Sequence, residues 1–239
     1  AHEVGADQIE ERDGTFFVLK TAKSPLHLLR CHLSMLRKRP KAWLSALSLA
    51  WRTRPPGTRA ALWQMFYFAE AAVLARHLEQ IGARHIHNHF SGSSCSVAML
   101  TAEMTGLPFS FTVHGPTELF EMGPWRLDEK IARSAFSVFI SHFARSQGML
   151  VSNPSHWDRM RIVHCGIEPE RYAGADKAPG QNLLFVGRLA AVKGVGLLLD
   201  AMARVKQTHP DARLTLVGDG PERARLEAKS KDLGLTEHV

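Results

Sequence analysis

The stretch from Asn182 to Pro221 restricts the fold of this chain more than any other. Leu183, Leu184, Phe185 and Val186 form a short unbroken apolar run, the pattern of a strand buried on both faces of a parallel sheet. Gly187 ends it, and Val195, Leu198, Leu199, Met202 and Val205 then recur at helical spacing as far as Lys206. A second apolar run, Leu214 to Val217, leads into Gly218-Asp219-Gly220-Pro221, another glycine turn before a helix, with Pro221 suited to the first helical position. This alternation belongs to a parallel α/β sheet, and both turns open on the carboxyl edge, where such sheets bind ligands.

The first turn carries Arg188 and Lys193 beside the amino end of the helix. Unpaired N–H groups and the positive end of the macrodipole suit a phosphate there, and Gly194 and Gly196 let backbone approach it closely. Arg188 can add a forked contact and Lys193 a point charge. On spacing alone both could equally be solvated loop cations; the second glycine turn on the same edge favours the ligand.

Upstream the alternation recurs. His85, His87 and His89 share one face of a strand, and Ser91-Gly92-Ser93-Ser94 opens a helix that ends near Gly106. A three-histidine face invites a metal, but no carboxylates at ligand spacing accompany it, and a strand whose last residues line a cleft is the simpler reading. Phe109 to Val113 is a strand ending in His114-Gly115-Pro116, which puts His114 at the ligand crevice and makes it the catalytic candidate of this half. Further elements are a helix over 130–135, a strand over 136–140, a helix from Ser141 to Leu150 and a strand over 161–164. The polar, turn-rich stretch 174–181 reads as a linker between domains 1–173 and 182–239.

The front of the chain differs. Asp13-Gly14 precedes Phe16 to Leu19, which reads as a strand. Leu29, Leu33 and Leu36 then mark one face of a helix that Pro40 interrupts; a second helix runs from Lys41 to Arg52, Pro55-Pro56-Gly57 stop it, and a long helix covers 59–80, with Gly82 as its C-cap signal. The net charge of +7 is concentrated here, because no acid stands between Asp13 and Glu70 while ten lysines and arginines do. Residues 20–59 therefore suit either an anionic membrane surface or helices packed on a core with a solvated basic face. Nucleic acid is not expected, since the stretch lacks a recognisable motif with interleaved aromatics. No apolar run is long enough to span a bilayer, and Cys31, Cys95 and Cys165 read as reduced, buried thiols, so the expected location is cytoplasmic, with peripheral contact at the inner membrane face.

Several groups of residues together resemble the family 4 glycosyltransferases of GT-B fold. In the second half they are Phe185-Val186-Gly187-Arg188-Leu189, Lys193-Gly194 and Leu216-Val217-Gly218-Asp219-Gly220-Pro221. In the first half they are His87-Asn88-His89-Phe90, Ser110 to Glu118, Lys130-Ile131-Ala132, Ile140-Ser141 and Val163 to Ile167, which resemble the acceptor domain of bacterial enzymes that build exopolysaccharides and other surface glycans. The resemblance runs from about Leu26 to Val239.

It implies an α/β fold in which a Rossmann-type acceptor domain precedes a Rossmann-type donor domain. It further implies a nucleotide-sugar donor, a glycan or lipid-linked acceptor, retention of anomeric configuration and no required metal or other cofactor. Gly187, Arg188, Lys193, Gly218, Asp219 and Gly220 take the donor positions, and His114 lies near the donor sugar. His89, Ser91, Gly92, Gly115 and Glu118 take the acceptor side. Val192 and Thr117 stand where the family often has acids, and the family's Glu-x7-Glu motif would lie beyond Val239. The resemblance thus implies an incomplete donor domain and an inactive piece of the enzyme. The competing class is a non-catalytic module that binds phosphate ligands or uses its basic surface.

Overall fold

The computed structural model describes residues 9, 13–172 and 180–239, so most of the expected linker, 174–179, lies outside them. The chain divides into two compact units, Ala1–Ile167 and Glu168–Val239.

The first unit is built on a four-stranded, wholly parallel sheet. Its strands β1 (Ile86–His89), β2 (Phe109–Val113), β3 (Phe136–Phe139) and β4 (Met160–Ile162) lie side by side in chain order. The register sets His89 opposite Thr112 and Val113 opposite Phe139, which aligns the carboxyl ends of the first three strands. Every residue of β2 is buried, because strands pair with both of its edges and helices cover its faces.

Among the described residues, four helices precede the sheet: α1 (Val18–Ala22), α2 (Pro25–Lys38), α3 (Pro40–Arg52) and α4 (Thr58–Gln80). Helix α5 (Ser93–Thr105) follows β1 and ends at Gly106, whose φ of 73° only glycine adopts readily. Its small residues let it pack closely on α4, and Thr101 Oγ1 donates to Ala71 O at 3.3 Å. After β2 come α6 (Pro116–Phe120) and α7 (Leu127–Arg133), and α8 (His142–Val151) follows β3 with Ser141 as its N-cap. A β-carbon on Gly148 of α8 would stand 2.6 Å from the Phe139 ring, so this helix is seated directly on β3.

One expectation for the front of the chain is overturned. The segment 16–19 enters a helix rather than a strand: Phe16 stacks on His77 with centroids 3.8 Å apart, and Thr21 donates from N and Oγ1 to Phe17 O. The apolar run did not decide, since no described strand lies alongside to pair with it. On α2, the face that meets the core is that of Cys31 and Met35, and Leu29, Leu33 and Leu36 point outward. The inward side is fixed by Trp43, whose Nε1 donates to His32 Nδ1 at 3.1 Å and whose ring packs on Phe68. Burial lowers the pKa of His32, which keeps it an acceptor there.

In the second unit, β5 (Asn182–Val186) pairs in parallel with β6 (Arg213–Val217). Helices α9 (Val195–Thr208) and α10 (Arg223–Asp232) share a small core with β6, centred on Leu199, Met202, Leu214 and Leu226. The strand expected to be buried on both faces is not: Leu184 and Val186 are 67% and 69% exposed, since no described element covers their face. Pro221 precedes α10 rather than opening it, because the turn is held by Glu222 N donating to Leu189 O and Arg223 N to Gly220 O. Cysteines 31 and 95 are buried as expected, whereas Cys165 lies on an exposed loop.

Glu70 of α4 is buried beside Tyr67, and burial raises the pKa of its carboxyl. An acid whose folded pKa is raised opposes folding once pH passes its unfolded value near 4.3. Glu70→Gln should therefore raise Tm at pH 7 and leave it nearly unchanged at pH 4, in thermal melts of the full chain at both pH values.

Candidate active site

The carboxyl ends of β1 and β2 bring the expected residues of the first unit together. His89 ends β1 and His114 follows β2, so the parallel register sets their rings side by side, with Nδ1 of His89 2.7 Å from Nε2 of His114. One of these nitrogens must carry the hydrogen, which fixes the tautomers of the two rings relative to each other. Nδ1 of His114 makes no hydrogen bond to a described residue, and the Phe90 ring lies 4.9 Å from the imidazole. Phe90 has φ of 71°, a conformation that bulky residues adopt only under constraint. Its constraint is visible: Phe90 N donates to Thr112 O at 2.9 Å, and Asn88 Nδ2 donates to His89 O and Phe90 O.

A half-buried carboxylate and a fully buried ammonium hold the loops that carry these side chains. Glu118 receives the backbone N–H groups of Ser91, His114 (2.7 Å) and Gly115 (3.1 Å), and so ties the loop after β1 to the loop after β2. Lys130 of α7 is fully buried and donates to Ser91 O at 2.6 Å and Gly92 O at 3.0 Å, with its ammonium 5.5 Å from the centre of the Trp125 ring. Glu118 satisfies donors and Lys130 acceptors of the same loop, so its backbone is fixed from both polarities. The Ser91 hydroxyl is itself buried without a hydrogen-bond partner among the described residues, leaving the anchoring to the main chain.

Burial pushes the Lys130 ammonium down to about 8, opposed by the charges of Cys95, Glu118 and Asp128. Burial likewise pushes the Cys95 thiol up to about 11. The sequence reading gave Lys130 no site role. Its signal was spacing: Leu127, Lys130 and Ile131 lie on one helix face, and a lysine on the buried side of a helix calls for an acceptor.

The histidine face of β1 is spent within the sheet. His85 Nε2 and His87 Nδ1 each lie 2.7 Å from the buried Ser110 hydroxyl, which donates to one and accepts from the other, while His87 Nε2 meets Thr112 Oγ1 at 3.0 Å. Burial, then the neighbouring His89, His85 and His114, lowers the pKa of His87. Among the described residues no group of three His, Cys, Asp or Glu side chains is arranged to hold a metal.

In the second unit the two glycine turns are stitched to each other. Gly187 N donates to Val217 O and Leu189 N to Asp219 O. A β-carbon on Gly218 would stand 1.9 Å from Gly187 O, and one on Gly220 2.3 Å from Leu189 O, so both positions require glycine. Asp219 is exposed on the loop, where it accepts from Gly220 N at 2.8 Å and lies 3.9 Å from Arg223. Arg188 is exposed on the loop after β5, and Lys193, also exposed, closes a 3-10 turn directly before α9. Neither makes an ion pair with a described residue. Two cations that the sequence reading did not single out stand nearer the mouth of α9: Arg225, paired with Glu222, and Lys229, 2.6 Å from Asp200, each 3.9 Å from the place of a Gly196 β-carbon.

Residues 171–239 match the family described as "Glycosyl transferases group 1". Among curated relatives, the alpha-D-kanosaminyltransferase of Streptomyces kanamyceticus is 27% identical over 191 residues, 67% of this chain and 48% of that protein. A phosphatidylinositol N-acetylglucosaminyltransferase component of Arabidopsis thaliana is 24% identical over 168 residues, 67% of this chain and 37% of that one. The chain thus spans less than half the length of these two relatives. Crystallised TarM superposes with a TM-score of 0.58 at 12% identity, covering 71% of this chain and 35% of TarM. A point mutant of S. aureus TarM in complex with fondaparinux, alpha-GlcNAc-glycerol and UDP superposes with a TM-score of 0.55. This likeness is one of fold, and it agrees with the α/β, GT-B-like class expected from the sequence.

Two measurements probe these anchors. Folded Lys130 loses its proton near pH 8 and an unfolded lysine near 10.4, so this group makes stability rise with pH across that window; Cys95 opposes it, its thiol holding its proton when folded to about 11. Denaturant titrations of Cys95→Ala should show stability rising from about pH 8 to 10, and adding Lys130→Met should abolish the rise and cost about 3 kcal/mol at neutral pH. Gly218→Ala should also cost about 3 kcal/mol, whereas Gly166→Ala, whose added carbon meets nothing within 4 Å, should be neutral.

Proposed function

We propose that this chain belongs to a glycosyltransferase of family 4 type, which moves a sugar from a nucleotide-sugar to a glycan or lipid-linked acceptor during synthesis of cell-surface polysaccharide, with retention of anomeric configuration. The observation that carries this reading is the pair of interlocked glycine turns in the second unit, with Arg188 and Lys193 on the loop between β5 and α9 making no ion pair with a described residue. It is supported by the family match over 171–239 and by relatives named as glycosyltransferases.

Cleavage of the donor bond leaves negative charge on a departing diphosphate. Arg188, Lys193 and the free N–H groups at the start of α9 take up that charge, an interaction stronger in the transition state than in the bound donor. Because protein cations supply the charge, the reaction needs no metal. Gly187, Gly218 and Gly220 keep the approach to backbone open, and Asp219 rigidifies the second turn. His114, its Nε2 engaged by His89, positions or polarises groups on the transferred sugar through Nδ1. Glu118, with Gly115, Ser91 and Gly92, shapes the side that receives the acceptor. The working compartment is the cytoplasm, which suits three free cysteines, and residues 20–59 bring the enzyme to the membrane where lipid-linked acceptors reside.

Calorimetric titration of UDP and GDP into the full chain, and into Arg188→Ala and Lys193→Ala, provides the test. Each substitution should weaken the better ligand at least about tenfold, the worth of one charge-assisted contact. Undiminished affinity in both variants would remove the donor assignment.

A further inference from the structure

Helix α2 (Pro25–Lys38) presents to solvent the side that an amphipathic helix normally buries. Leu26, Leu29, Leu33 and Leu36 are between 37% and 58% exposed, and their spacings of three, four and three set them in one continuous row. The opposite side, with Cys31 and Met35, fills the core, so the row cannot turn inward without unpacking the unit. Arg30 and Arg37 stand four residues after Leu26 and Leu33, and therefore beside them on the helix surface. These arginines and Lys23 are exposed and make no ion pair with a described residue. The sequence holds no acid from Gly14 to Ala69, and the one acid paired at the end of this helix, Glu79 of α4, is taken by Lys38 and Arg39.

We propose that this face of α2 is a docking surface for an anionic lipid bilayer. The helix lies in the membrane plane, its leucine row enters the boundary between headgroups and acyl chains, and Lys23, Arg30 and Arg37 rest on lipid phosphates. Charge selects this occupant. A second copy of the face would set arginine rows against each other. The mode of contact is peripheral, since among the described residues no helix is long and apolar enough to cross a membrane. The inference rests on this surface alone and holds whichever reaction the protein performs.

Cosedimentation of the full chain with vesicles of phosphatidylcholine, with and without phosphatidylglycerol, tests it. The chain should pellet with the anionic vesicles and be released as salt rises. Arg30→Gln with Arg37→Gln should lower partition about fivefold per cation removed, and Leu29→Ser with Leu33→Ser at least about tenfold. Both variants should keep the wild-type Tm, because the four side chains face outward. Absence of binding to anionic vesicles, equal binding to neutral ones, or undiminished binding by either double variant would overturn the proposal. So would a dimer in light scattering that the serine variant dissociates while vesicle binding stays absent.

Discussion

The first unit depends on how a parallel sheet satisfies the loops that leave its carboxyl ends. Such loops emerge with free N–H and C=O groups, and a loop that must line a cleft cannot leave them all to water. Here one carboxylate and one ammonium divide the task. Glu118 gathers three N–H groups from two loops, and Lys130 takes two carbonyls of the first. Burying an ammonium this completely is costly unless it is well coordinated, which ties the geometry of the site to the folding of the unit.

The second unit reaches a comparable end without charge. Its two turns are held by main-chain hydrogen bonds at separations that no side chain could share, since Gly218 and Gly220 press against carbonyls of the neighbouring turn. Arg188 and Lys193 are therefore not needed to hold their own loop, and neither makes an ion pair with a described residue. Arg225 and Lys229, by contrast, are already neutralised by Glu222 and Asp200. Two adjacent pairs of cations thus differ in availability, a distinction that charge counting cannot draw.

How much of this was legible in the sequence depended on whether the deciding contact was local. The strands and helices from Ile86 to Val217 were readable because apolar runs and glycine punctuation are short-range signals, and His89, Ser91, Gly92, Gly115 and Glu118 fell together because a parallel register brings strand ends to one edge. Failures came where a distant partner decided. The segment 16–19 leads into a helix, with Phe16 stacked on His77, and which side of α2 is buried was set by Trp43 and Phe68. Leu184 and Val186 read as core because an apolar run states that a face should be covered, not that a described element covers it. Lys130 was given no site role because its acceptors, Ser91 and Gly92, stand far upstream in the chain.

Phe90 carries a consequence for how this edge could vary. Its left-handed backbone, of order 1–3 kcal/mol above an ordinary conformation, is imposed by Thr112 and Asn88 on either side. Glycine or asparagine would relax that tension but remove the aromatic wall beside His114, while valine or isoleucine would keep bulk and clash with the main chain. Position 90 is thus caught between two opposing demands, and the repertoire of side chains it can accept is narrower than its solvent exposure alone would suggest.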